Sequence, residues 1–238
     1  MTSEQKAERK FLRMTKSQRI QHVILFVSTT MLVITGFMLQ ADNWLSEFFG
    51  SYGETVFTIR SWLHRISGVT IILLCTYHLI YVLTTEEGKS WAKDMLPRPR
   101  DAVEAYQNVM FMIGFREDKP KLDRFMYLEK LEYWSVYFGM TIVIISGIMM
   151  WTEYLWPRFF LEVAGVFHLG EAVLAALAII VGHISSVHYN PHVYPMNRTF
   201  IDGMISEELV KEEHELWYER ELKTLDKNNS GSDGNEKT

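Results

Sequence analysis

Long apolar runs alternate with charged stretches along this chain of 238 residues. With its flanks, each run approaches the roughly twenty residues that cross the hydrocarbon core of a bilayer. Helices of a soluble protein normally keep a polar face, and four runs of this length without one are unusual there. The pattern predicts an all-α protein built as a bundle of four transmembrane helices. The runs are Val23–Leu39, Val69–Leu83, Val136–Trp151 and Val163–Ser185.

The distribution of Lys and Arg orients the four predicted helices. Six of these residues lie in the first twenty positions, nine in 84–131 and six after His192, against one each in 41–61 and 152–162. Basic residues collect on the cytoplasmic side of a membrane. We therefore predict that both termini and the middle loop are cytoplasmic. The long charged segment before the first run argues against a cleavable signal peptide.

Composition divides the chain into three segments. Residues 1–19 form a cytoplasmic N-terminal segment, residues 20–192 form the four-span domain, and residues 193–238 form a cytoplasmic C-terminal tail. We expect short helices in loop 84–131 of the four-span domain. Cys75 is the only cysteine, which excludes an intrachain disulfide, a four-cysteine metal site and haem attachment through a pair of cysteines.

Histidines are the polar residues that stand out within the apolar runs and in the turns that precede them. His64 and His78 are fourteen residues apart in one predicted helix, and His168 and His183 are fifteen apart in another. At about 1.5 Å and 100° per residue, both spacings are close to four turns, so each pair lies on one helix face about 21 Å apart. Histidine is rare inside a bilayer unless it has a partner or a function. Two such helices packed side by side would bring the four imidazoles together as two pairs. The pattern therefore predicts two metal centres, for which bis-histidine haem is the natural occupant.

Topology assigns each histidine to one of two levels in the membrane. His64 and His168 lie at the outer level, where they form one predicted haem site. At the cytoplasmic level His22, His78 and His183 are three candidates for two axial positions, and this choice stays open. Zinc is the main competing metal, but a zinc site gathers about four ligands at one point. Two separate levels therefore favour haem.

Further residues have candidate roles around these sites. Arg65 is a candidate partner of a haem propionate or a side chain that extends to the interface. Glu171 is a candidate proton carrier or an interfacial carboxylate. We expect His188 and His192 to be solvated or close to a quinone, and His214 to be solvated. Glycines near the histidines leave room for a porphyrin or serve close helix packing; they are Gly68, Gly139, Gly147, Gly165, Gly170 and Gly182.

Several short motifs along nearly the whole chain occur in the same order as in a known protein family. They are Arg19–His22 with Thr35 and Gly36, Leu63–Arg65 with Gly68, His168 and His183, Gly203–Ile205, and Glu213 and His214 with Trp217 and Tyr218. In this order the chain resembles the membrane cytochrome b subunits of formate dehydrogenase gamma type. Those subunits are related to the cytochromes b of hydrogenase and thiosulfate reductase. The stretch from His183 to Met196 also resembles cytochrome b subunits encoded beside multihaem c-type cytochromes.

The resemblance implies a set of axial ligands for two b haems. It implies His64 with His168 at the outer haem and His22 with His183 at the cytoplasmic haem. His78 departs from the pattern, because formate dehydrogenase subunits need no histidine there. With His78, the spacing resembles instead the cytochrome b of quinol–cytochrome c complexes. His22 and His78 thus remain competitors for one position, and the other is expected near a quinone or a propionate.

The resemblance also implies a function for residues 20–192 as a dihaem cytochrome b domain. Such a subunit of a respiratory oxidoreductase lies in a prokaryotic inner membrane and passes electrons across it between a partner redox subunit and menaquinone or another quinone. The partner is expected to be an iron–sulfur or multihaem c-type protein, and nucleic acid is not expected as a partner. Two alternatives stay open: a self-contained transmembrane haem reductase, and a non-redox multispanning transporter or scaffold.

Overall fold

A computed structural model of the chain describes residues 9–189 and 193–232. Helices make up most of this part of the chain, which confirms the helical expectation apart from two short strands. The helices are α1 (Lys16–Phe37), α2 (Asp42–Phe49), α3 (Gly53–Thr84), α4 (Glu86–Met95), α5 (Pro99–Met112), α6 (Tyr127–Trp151), α7 (Arg158–Leu177), α8 (Ile184–His188), α9 (Thr199–Asp202), α10 (Glu207–Glu213) and α11 (Glu215–Ser232). The strands are β1 (Lys10–Leu12) and β2 (Met204–Ser206).

Three helical stretches of the described chain are long and apolar enough to cross a membrane. They are Lys16–Thr84, Tyr127–Trp151 and Arg158–His188. Only 11% of the most apolar window in each stretch is buried inside the protein, so the apolar side chains face outward, as lipid contact requires. The first stretch has 69 residues and contains both α1 and α3. Its division into two spans, which the four-span topology needs, stays a prediction.

The long helices form two antiparallel pairs. α1 packs along α3, and α6 packs along α7, whereas α1 approaches α7 and α3 approaches α6 only over short stretches. Buried small side chains lie on both pairs, with Ser28 and Ser67 on the first and Ser146 and Ala164 on the second. Small residues let helix backbones approach closely in a membrane. The close contacts are therefore within each pair, and the looser contacts are between the pairs.

The chain reverses sharply between α3 and α4. The Thr85 hydroxyl accepts a hydrogen bond from the Gly88 N–H at 3.0 Å, which caps the start of α4. A Cβ at Gly88 would collide with the backbone carbonyl of Tyr81, so this close approach requires glycine. α4 and α5 both lie in loop 84–131, which confirms the short helices expected there.

The two ends of the described chain fold together into a terminal cap, which consists of β1, β2, α10 and the start of α11. β1 pairs antiparallel with β2, with Phe11 opposite Ile205. The backbone N–H groups of Arg13 and Met14 both donate to the Gly203 carbonyl, at 2.9 and 3.2 Å. The N-terminal segment and the tail, which composition treats as separate, thus share one core. That core contains Phe11, Ile205, Leu209, Val210 and Trp217.

The expectation that His214 is solvated is wrong. The residue is 3% exposed, and its Nδ1 donates to the carbonyl oxygen of Asp123 at 2.8 Å. Nε2 of the neutral ring therefore accepts from the Arg13 guanidinium at 3.0 Å. Arg13 also pairs with Glu129 at the start of α6, at 2.5 Å, which ties the cap to the long helices. Burial, followed by the charge of Arg13, lowers the pKa of His214.

We expect the terminal cap to lose stability as the pH falls below about 6.5. The unfolded histidine binds a proton in this range, whereas the folded ring, with its lowered pKa, does not. Above this pH, His214 adds no pH dependence. The loss is at most about 1.4 kcal/mol per pH unit, or about tenfold in amide protection. Hydrogen exchange of the amides in β1, β2 and α10, corrected for intrinsic rates, measures this loss.

The His214→Gln variant is the matched control, because glutamine keeps a donor and an acceptor but does not titrate. Its cap should lack the pH dependence between about 4.5 and 6.5. Asp123 does not contribute in this range. Burial alone would raise the pKa of Asp123, but the backbone N–H of Arg124 and the guanidinium of Arg220 outweigh burial and lower it. The same pH dependence in wild type and variant would contradict the assignment to His214.

Candidate cofactor site

His64 on α3 and His168 on α7 face each other, with 6.2 Å between ring centres. Nδ1 of His64 lies 2.8 Å from the Thr35 hydroxyl, and Nδ1 of His168 lies 3.0 Å from the Ser146 hydroxyl. Each hydroxyl donates its single hydrogen to a carbonyl one turn earlier in its own helix, at 2.6 Å in both cases. The hydroxyls therefore accept from the imidazoles. Nε2 of each neutral ring is left unprotonated, without a hydrogen-bond partner among the described residues.

His22 on α1 and His183 form a second pair, with the same separation of 6.2 Å between ring centres. The Glu132 carboxylate accepts a hydrogen bond from Nδ1 of His183 at 3.0 Å, so Nε2 of a neutral His183 is also unprotonated. Nδ1 of His22 is buried and has no partner in the described part of the chain. The ring of Phe200 flanks His22 with 6.1 Å between ring centres.

A π-helical turn at Ala178–His183 follows α7 and carries His183. Fifteen residues of regular helix rotate through about 1,500°, which is roughly 60° more than four full turns. A π turn winds more slowly, because its hydrogen bonds span five residues instead of four. It therefore brings His183 back toward the helix face of His168. Such turns are frequent at functional sites.

His78 does not pair with His183. Its Nδ1 lies 2.7 Å from Oε1 of Gln21, and its Nε2 lies 2.9 Å from the Tyr133 hydroxyl. Of the five candidate ligands, His78 is the one with hydrogen-bond partners on both ring nitrogens within the described chain. The structure therefore brings His22, not His78, opposite His183.

Both histidine pairs have the dimensions of two imidazoles that bind one metal from opposite sides. A metal–imidazole bond is about 2.0–2.1 Å long and the ring centre lies roughly 1 Å farther, so the centres are roughly 6 Å apart. The observed separation is 6.2 Å in both pairs. A Cβ at Gly68 or Gly170 would meet nothing within 4 Å, which leaves space near His64 and His168. The residues present thus fit haem at two places.

Arg60 is a candidate that the sequence analysis missed. Its Nε and Nη1 are buried without a hydrogen-bond partner among the described residues, and it precedes His64 by one turn of α3. Arg60 is half-buried, and two buried guanidinium nitrogens without a partner favour a nearby anion; haem carries propionates. Arg65 stacks over the ring of Trp151 instead, 5.5 Å from the ring centre. The four-residue spacing between Arg60 and His64 was the available signal.

The remaining candidates lie apart from the two pairs. The Glu171 carboxylate lies against Gly139, where a Cβ would displace it. A proton-carrying role of Glu171 stays a prediction. Nδ1 of His188 accepts a hydrogen bond from the backbone N–H of Asn197 at 3.2 Å. His192 lies outside the described residues.

Clusters of metal-binding side chains are the feature that would favour zinc. In residues 9–189 and 193–232, no three His, Cys, Asp or Glu side chains gather at one point. A protein zinc site needs about four such ligands. Opposed pairs of imidazoles suit instead a metal whose other ligands come from a macrocycle, as in haem.

Known proteins with similar sequences agree with this chemistry. The profile of the prokaryotic cytochrome b561 family matches residues 11–198. The formate dehydrogenase cytochrome b556(fdo) subunit of Escherichia coli K12 is 22% identical over 218 residues, which cover 91% of this chain and 95% of that protein. The formate dehydrogenase cytochrome b556 subunit of Haemophilus influenzae is 22% identical over 223 residues, which cover 90% and 84%. The predicted family resemblance is confirmed.

Proposed function

The chain belongs to the prokaryotic cytochrome b561 family, and on that premise we propose that it is the dihaem cytochrome b subunit of a respiratory oxidoreductase of formate dehydrogenase type. In this role it is the quinone-reactive subunit, which transfers electrons across the membrane between a partner redox subunit and the quinone pool. The proposal rests on two sites, and in each of them the centres of two imidazole rings lie 6.2 Å apart.

The proposed topology has four spans, formed by α1, α3, α6 and the helix from α7 to α8. The pairing of β1 with β2 supports it, because strands from the two ends of the chain can pair only if both lie on one side. The positive-inside rule favours the cytoplasm for that side, in a prokaryotic inner membrane. α2 then lies at the outer surface, where its exposed Trp44 and Phe48 suit the membrane interface.

Four histidines hold the two haems in this proposal. His64 and His168 bind the outer iron, and His22 and His183 bind the cytoplasmic iron. The bound haems supply reversible one-electron redox chemistry at two depths of the bilayer. The assignment of His22 instead of His78 is supported by the hydrogen bonds that occupy both nitrogens of His78.

Hydrogen bonds behind the imidazoles hold these ligands in the tautomer that a metal needs. Thr35 and Ser146 accept from Nδ1 of His64 and His168, which directs each ring and leaves Nε2 for iron. Glu132 does the same for His183, and a carboxylate makes the imidazole a stronger electron donor than a hydroxyl does. The electron-donating strength of the imidazoles is therefore set by hydroxyl groups at the outer site and by a carboxylate at the cytoplasmic site.

The proposed quinone site lies beside the cytoplasmic haem, close to His188 and Phe200. The ring of Phe200 lies 6.0 Å from that of His188 and 6.1 Å from that of His22. Nδ1 of His188 accepts from Asn197, so a neutral His188 carries its proton on Nε2. That group can donate to a quinone oxygen, such as that of menaquinone.

A separate subunit exchanges electrons with the outer haem in this proposal. Within the described chain, the connections on that side consist of the short α2 and a few turns, which are too small for a redox domain. The relatives are subunits of formate dehydrogenase by name. We therefore place an iron–sulfur or multihaem c-type partner on the outer face.

We expect the His22→Ala and His183→Ala variants to lose the same haem, so that the chain retains one haem of two. His64→Ala and His168→Ala should each lose the other, because each variant removes one of the two iron–imidazole bonds that hold that haem between the helices. Haem per purified chain, with reduced-minus-oxidised spectra of the remaining haem, measures this. His214→Gln is the control, since its ring lies in the terminal cap and should leave both haems in place.

Two results would contradict these assignments. If His22→Ala retained both haems, the cytoplasmic pair would be wrong. If wild-type chain purified from cells that produce haem had no b-type spectrum, the redox function itself would fail and a transporter or scaffold would be favoured.

We expect Arg60→Gln to lower the midpoint potential of the outer haem. Removing a positive charge beside a propionate stabilises the ferric state relative to the ferrous state, by an amount on the order of 50 mV at this partly buried position. Potentiometric titration of both haems measures the change. Arg65→Gln is the matched control and should shift the outer haem less, because its guanidinium stacks on Trp151. Equal shifts in both variants would contradict a specific contact with Arg60.

A further inference from the structure

Side chains from three helices meet at His78. Gln21 belongs to α1, His78 to α3 and Tyr133 to α6, and each lies in the part of the bundle that contains the His22–His183 pair. Gln21 is buried, while His78 and Tyr133 are half-buried. Because polar groups in an apolar surrounding strongly favour hydrogen-bonded partners, the three side chains hold one another in a fixed arrangement.

The hydrogen atoms of this triad can be assigned without conflict. Oε1 of Gln21 only accepts, so Nδ1 of His78 donates to it at 2.7 Å. Nε2 of the neutral ring then accepts from the Tyr133 hydroxyl at 2.9 Å. The amide nitrogen of Gln21 donates to the Ser17 hydroxyl at 3.2 Å, which is consistent with this orientation of the amide. Neither nitrogen of His78 is available for a metal or a quinone in this arrangement.

Two residues of the triad are neighbours in sequence of His22 and of the residue that orients His183. Gln21 directly precedes His22 in α1. Tyr133 directly follows Glu132 in α6, and Glu132 holds Nδ1 of His183 at 3.0 Å. Through its two nitrogens, His78 thus links the backbone that carries one imidazole to the backbone that orients the other.

His22 has a particular need for such support. His64, His168 and His183 each have a hydrogen-bond partner on Nδ1, whereas Nδ1 of His22 is buried without one in the described chain. The ring of His22 is therefore oriented by the position of α1 and by packing against Phe200. The contact from Gln21 to His78 fixes that part of α1.

We propose that His78 is a positioning residue that sets the angle between the imidazole planes of His22 and His183. This inference rests on the proposed function, since the planes matter when both rings bind one iron. The observed interplanar angle is 46° in this pair and 60° in the His64–His168 pair. His78 has no hydrogen bond to the His64–His168 pair within the described residues, so the outer haem serves as an internal reference.

The test compares His78→Phe with His78→Gln in the full chain purified with its haems. Phenylalanine removes both hydrogen bonds, whereas glutamine can still donate to Gln21 and accept from Tyr133. We expect both variants to retain two haems per chain. In His78→Phe, the low-spin electron paramagnetic resonance signal of the cytoplasmic haem should shift in its largest g value, which reports the angle between axial imidazole planes. The signal of the outer haem should not change.

His78→Gln should restore the wild-type signal, and Tyr133→Phe should shift it in the same direction as His78→Phe. Thr76→Val is the control on the same helix, because Thr76 is exposed and its hydroxyl donates to the Ile72 carbonyl of that helix and not to the triad. An unchanged cytoplasmic signal in His78→Phe would overturn the proposal, as would a shift of both haem signals. Loss of one haem from both His78 variants would make His78 an axial ligand instead. Absence of haem from wild type would refute the proposed function and not this inference alone.

Discussion

Each histidine in an apolar helix has two ring nitrogens, and the surrounding hydrocarbon supplies a partner for neither. This constraint organises the described chain. At His64, His168 and His183, a side chain from the neighbouring helix takes Nδ1–H, and Nε2 remains with its lone pair. At His78, two neighbours occupy both nitrogens. Residues of the same type therefore have different chemistry, and the difference follows from which polar side chain stands behind each ring.

The packing of the helices brings these hydrogen-bond partners to the histidines. The hydroxyls of Thr35 and Ser146 reach the imidazoles because α1 lies along α3 and α6 lies along α7. The histidines of each pair then face each other between these two helix pairs, where contact is looser. A macrocycle needs width in one plane and close protein contact above and below its metal, and this arrangement provides both. The terminal cap secures one end of the assembly, through the pairing of β1 with β2 and the contact of Arg13 with Glu129.

The sequence was informative wherever periodicity alone decides the geometry. The apolar runs predicted long helices, the four-turn spacings predicted two levels of histidine, and the order of motifs predicted the family. The sequence did not decide between His22 and His78, because both lie at the same depth. That choice depends on Gln21 and Tyr133, which come from other helices and are ordinary residues in isolation. The π turn at Ala178–His183 is reflected only in a histidine spacing of fifteen residues instead of fourteen, and this difference alone does not identify such a turn.

His214 and Arg60 show two other limits of sequence reasoning. The surroundings of His214 are charged along the chain, yet folding places the ring between Arg13 and Asp123, so a solvated residue was the wrong expectation. Arg60 lies one turn from His64, but a single arginine near the end of a span is also common at an interface. Burial and the lack of a partner for its nitrogens distinguish the two cases, and both are properties of the folded chain.

The proposed function depends on two opposed pairs of imidazoles that each hold one haem. Near-infrared magnetic circular dichroism of the oxidised wild-type chain, together with its haem content, tests this most directly, because the charge-transfer band identifies the axial ligands of low-spin haem. We expect two haems per chain, both with bis-histidine ligation. A single haem per chain, or a band from any other ligand pair, would contradict it.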